Sequence, residues 1–94
     1  MLTHLVCFKY KPDVSDEVRA DHRSRLQNLV GLPGIVNLKV GADLVHSPRS
    51  YDTGLVVTFH DRAGLEAYQA DPAHVPVAQF GVALCKHIVA VDFE

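Results

Sequence analysis

Apolar and polar residues alternate from Leu2 to Tyr10, with His4, Val6 and Phe8 on one side and Leu5 and Cys7 on the other. That period of two predicts a first strand. Lys11-Pro12-Asp13 stops it, because proline has no N–H to give to a ladder. Ser15 supplies a hydroxyl N-cap, and Asp16 and Glu17 place carboxylates in the first turn of a helix. Val18, His22, Leu26, Leu29 and Val30 then recur at helical spacing until Gly31, and Pro33-Gly34 makes a turn. Ile35 to Val40 predicts a second strand, with Val36, Leu38 and Val40 on one face and Asn37 and Lys39 on the other. Its continuation towards Val45 is left open. His46 to Ser50 is a polar loop, and Leu55 to Phe59 a third strand. Asp61 caps a second helix, Arg62 to Ala70, which Pro72 interrupts. Val75 to Leu84 is a further helical stretch, and Lys86 to Phe93 the final strand. The order is β-α-β-β-α-β, the ferredoxin-like α+β pattern with a four-stranded antiparallel sheet.

The strands are more apolar than such a sheet requires. Helices on one side leave the other face of an antiparallel sheet wet, and its residues should be polar. Instead Leu55, Val57 and Phe59 stand against Val56, and Val89, Val91 and Phe93 against Ile88 and Ala90. Both faces read as buried, with Val57 and Val89 among the candidates for contact with a second copy. The expectation is a homodimer in which two sheets close into one α+β barrel, since large exposed apolar patches mark interfaces.

Length and charge narrow the picture. Ninety-four residues make one domain, 1–94, with a thin core. A net charge of -2 with scattered lysines and arginines gives no basic stripe for nucleic acid. No apolar run approaches the ~18 residues that cross a bilayer, and no secretory leader is visible, so no membrane partner and a cytoplasmic location are expected. Cys7 and Cys85 are then read as reduced and packed.

The chain has six histidines, but no His-Glu-x-x-His, Cys-x-x-Cys or His-x-His spacing, and no metal is expected. Asp71, His74 and His4 would make at most a partial ligand set. His46, His60 and His87 read as solvent-exposed, and His22, on the apolar helix face, as a hydrogen-bonded packing residue. No nucleophile elbow, P-loop or dinucleotide fingerprint occurs, so no cofactor is expected. The informative stretch runs from Ala67 to Val75. Pro72 breaks the helix there, so Tyr68 and His74 can converge on one cavity. An imidazole would take an acidic proton from a carbonyl compound, and a phenol would hydrogen-bond the enolate. The structural alternative makes Tyr68 a core residue with its hydroxyl at the rim, and His74 a backbone cap.

His4 to Tyr10, Leu32-Pro33-Gly34-Ile35, Val40-Gly41, Tyr51-Asp52, Thr58-Phe59, Tyr68 with Asp71 to His74, and Val91-Asp92-Phe93 together resemble the stress-responsive A/B barrel family (the dimeric α/β barrel, or Dabb, domain). The resemblance spans nearly the whole chain and implies the dimeric barrel. A plant polyketide cyclase of that family closes its substrate by aldol condensation. Its catalytic tyrosine and histidine fall on Tyr68 and His74, and a first-strand histidine on His4. A further pocket histidine falls near Thr53, and the family's histidine before the proline is Asp71 here. The expected site therefore has Tyr68 and His74 as catalytic residues. His4, Val6, Phe8, Phe59 and Phe80 line an inner cavity of the dimer for a small hydrophobic or aromatic carbonyl ligand. The expected function is cofactor-independent cyclisation or isomerisation. The alternative is a non-catalytic stress-responsive structural or interaction protein. A cofactor-free oxygenase is the weakest reading, because no residue marks oxygen chemistry.

Overall fold

The computed structural model describes residues 1–94. The elements in chain order are β1 (Leu2–Tyr10), α1 (Asp16–Gln27) with a 3-10 turn (Asn28–Gly31), β2 (Ile35–Ala42), β3 (Thr53–Phe59), α2 (Arg62–Ala70), α3 (His74–Leu84) and β4 (Cys85–Phe93). The four strands form one antiparallel sheet in the order β2-β3-β1-β4. This is the ferredoxin-like α+β fold, with three helices on one face of the sheet.

Local chemistry sets the boundaries. The Ser15 hydroxyl accepts from the Val18 amide at 3.2 Å, and Asp61 caps α2 by accepting from the Gly64 amide at 2.9 Å. Ser15→Ala is expected to cost about 1 kcal/mol of stability, read as a lower denaturant midpoint with an unchanged m-value. Gly34 turns the chain into β2 at φ 86°, where a side chain would be strained. β2 ends at Ala42, and Leu44 and Val45 lie exposed in the loop beyond it.

Leu2, His4, Val6, Phe8 and Tyr10 of β1 all face the helices and are buried, as are Thr53, Leu55, Val57 and Phe59 of β3. One alternation predicted from sequence fails. Val36 does not share a face with Leu38 and Val40, because the β2–β3 register slips between Ile35 and Asn37. The extra residue of this bulge exposes Val36, while Ile35 packs on the core.

The two sheet faces are not equivalent. Cross-strand rows on the face without helices read Val56–Leu5–Val91, Gly54–Cys7–Val89 and Thr58–Thr3–Phe93. Val89, Val91 and Phe93 are about half exposed there. Val57, in contrast, is fully enclosed under the helices and is not on the open face. Cys7 lies on the open face and Cys85 is buried; both are free thiols. No helix is long and apolar enough to cross a membrane.

Candidate functional site

Proline builds the site. A residue before proline is driven out of the helical region, and Asp71 adopts φ -63°, ψ 132°, ending α2. The same residue starts the next helix. Its carboxylate accepts from the Ala73 amide at 2.8 Å, and its carbonyl accepts from the amides of His74 and Val75 at 2.9 and 3.1 Å. Tyr68 thus occupies the last turn of α2 and His74 the first turn of α3. Their rings meet with centroids 4.2 Å apart. Phe59 backs Tyr68 at 5.2 Å, and the His4 ring stands edge-on to Tyr68 at 6.2 Å.

Hydrogen bonding leaves particular atoms free. His74 Nδ1 lies 3.3 Å from the Gln69 carbonyl oxygen, which can only accept. The ring proton therefore sits on Nδ1, and the Nε2 lone pair is unclaimed. The His4 Nδ1–H donates to Asp92 Oδ1, a pairing between β1 and β4. The buried Tyr68 hydroxyl has no partner. Burial alone pushes the Tyr68 phenol up to about 12, so it stays protonated as a donor. Burial lowers the His74 pKa below the ordinary histidine value; the Gln69 carbonyl opposes that shift, and the neighbouring His4 adds to it. His74 is thus a neutral base near pH 7.

These side chains border an apolar cavity of about 230 Å3 between the helices and the sheet. Its lining includes His4, Val6, Phe8, Tyr68 and His74 among the residues singled out from sequence. Two of those residues stand elsewhere. Phe59 lies behind Tyr68 and supports it without facing the cavity, and Phe80 turns towards α1, where the Arg25 guanidinium covers its ring at 4.1 Å. Nor is the cavity an inner space between two protomers. It lies under the helices of one chain, on the opposite side of the sheet from the open apolar face. His22, Leu55, Val77, Ile88 and Ala90 complete much of the wall, and Asp92 holds His4 in place. Antiparallel pairing of the first and last strands would have brought Asp92 opposite His4. Sequence spacing alone gives no such sign. No cluster of three or more His, Cys, Asp or Glu side chains gathers as a metal site.

The model of the stress-responsive A/B barrel domain matches residues 2–94. The chain belongs to that family. Among solved structures, it is similar to a dimeric ferredoxin-like protein of unknown function from Thermobifida fusca. Identity is 26% and the TM-score 0.90, covering 98% of this chain and 88% of that one. A dimeric ferredoxin-like protein of unknown function from Jannaschia sp. is 29% identical, with a TM-score of 0.84 and coverage of 99% and 97%. A hydroxynitrile lyase from Passiflora edulis shares the fold at 23% identity and a TM-score of 0.87, covering 98% and 90%. No curated protein matches by sequence. This A/B barrel chain thus shares its architecture with a lyase and with proteins that assemble as dimers.

Proposed function

We propose that this A/B barrel protein is a homodimer whose protomers each bind a small apolar or aromatic carbonyl compound and move a proton on it without a cofactor. The observation that carries the reading is the pairing of a partnerless phenol, Tyr68, with a free imidazole nitrogen, His74 Nε2, on the wall of one apolar cavity. His74 takes the proton from the carbon next to the carbonyl. The electron pair moves to the carbonyl oxygen, and the Tyr68 O–H stabilises the enolate. Return of the proton to a different carbon gives isomerisation. Attack of the enolate carbon on a second carbonyl carbon forms a C–C bond, and His74 then protonates the new alkoxide, giving cyclisation. His4, oriented by Asp92, adds a polar edge beside the phenol. The lyase among the fold neighbours is in keeping with such chemistry.

The test is a binding screen of wild type and His74→Ala against aromatic ketones and β-keto carbonyl compounds, read by thermal shift. Wild type is expected to be stabilised by at least one compound, by about 2–3 kcal/mol at saturation near 100 times its Kd. The variant is expected to lose that response. A second reading, a non-catalytic interaction protein, draws on the breadth of the open apolar face. It gains if no compound stabilises the wild type.

A further inference from the structure

His22 has no part in the reaction above, yet it is fully buried and borders the same cavity. Its Nδ1 lies 2.7 Å from the Tyr10 hydroxyl, which lies 2.9 Å from Thr53 Oγ1. Arg23 donates to that same Thr53 oxygen at 3.2 Å. His22 Nε2 has no partner.

The direction of this chain follows from what each group can do. A guanidinium only donates, so Thr53 Oγ1 accepts from it. The Thr53 hydroxyl proton has one acceptor in the network, the Tyr10 oxygen. Tyr10 then gives its own proton to Nδ1, and the imidazole proton sits on Nε2. The opposite polarity would strand the buried Thr53 proton, at the cost of an unmade hydrogen bond. Burial, helped by the charge of Arg23, pushes the His22 pKa down to about 4, so the ring is neutral and carries only that proton. Helix α3 packs closely against this ring edge at a glycine. A Cβ at Gly81 of α3 would stand 2.9 Å from Nε2, so any other residue there would press on the ring edge. Phe8 fixes the imidazole plane edge-on, with centroids 4.9 Å apart.

The buried unpartnered side-chain polar atoms of this protein are Tyr68 Oη and His22 Nε2, and both residues border this cavity. Neither atom has a hydrogen-bond partner within the protein. We propose that His22 is a second polar pole of the cavity, donating from Nε2 to an oxygen of the ligand other than the one held by Tyr68. The preferred ligand class is therefore dicarbonyl compounds over monocarbonyl ones. The inference rests on the carbonyl-binding reading and narrows it.

Acetophenone, with one carbonyl, and 1,3-diacetylbenzene, with two, separate the claims in NMR titrations of wild type, His22→Phe and His74→Ala. Wild type should bind the diketone roughly tenfold more tightly, the size of one buried hydrogen bond. In His22→Phe, which keeps a ring and removes the N–H, that preference should fall to about one. A preference that survives in His22→Phe overturns the second pole while leaving the carbonyl reading intact. Failure of both ketones to bind wild type at millimolar concentration overturns both. Should His22→Phe not fold, the imidazole nitrogen spectrum of the wild type decides. A proton on Nε2 that shifts with the diketone supports the proposal, and a proton on Nδ1 overturns it.

Discussion

Val91→Asp is expected to turn the proposed dimer into a folded monomer. Val91 stands at the end of the row Val56–Leu5–Val91 on the helix-free face, about half exposed in the single chain. In a two-fold assembly every substitution occurs twice. Each buried, unpaired carboxylate costs several kcal/mol, so the dimer Kd should rise by more than ~10³-fold. The protomer should survive because Val91 points away from its own core. Size-exclusion elution at the monomer position, with helical circular dichroism retained, is the expected result. A variant that stays dimeric would show that this face is not the interface. Val57→Asp makes the contrast, because Val57 is enclosed beneath the helices of its own protomer and its replacement should unfold the chain.

That contrast shows where sequence is silent. Period-two alternation says that Val57 and Val56 point to opposite faces, and both faces of the strand are apolar. Which face lies beneath the helices depends on α1 and α2 packing across the sheet, far away in sequence. β1 was legible because His4, Val6 and Phe8 alternate cleanly and Pro12 ends the strand. The α2–α3 break was legible for the same local reason, and it carries Tyr68 and His74. The bulge at Val36 was not, since a register slip exists only relative to a partner strand. Asp92 and the Tyr10–His22–Thr53 network depend on contacts between distant segments that no spacing announces. Phe59 and Phe80 entered the expected lining as large aromatic residues near the right elements. One instead supports Tyr68, and the other packs under Arg25.

The catalytic proposal makes its largest demand on pH and on two atoms. Tyr68→Phe removes only the hydroxyl, and the ring still fills the space against Phe59, so the fold should be retained. Loss of the enolate's donor should lower kcat by about 10²-fold or more with little change in KM, because the donor strengthens mainly as charge develops. His74→Gln should lower kcat/KM by roughly 10²–10⁴-fold, the range for losing a positioned base. The wild-type profile follows from the two shifts. In the proposed role His74 acts neutral and burial depresses its pKa, so kcat/KM should climb with pH through a value below 6.5 and flatten above it. Tyr68 stays protonated until about 12, so no alkaline fall should come from the phenol across the working range. The same depression makes a stability claim of like sign. Below 6.5 the unfolded chain takes up a proton at His74 that the folded cavity disfavours, so folding stability should decline as acid is added. An acid limb that persists unchanged in His74→Gln would assign the base to another group and remove His74 from the chemistry.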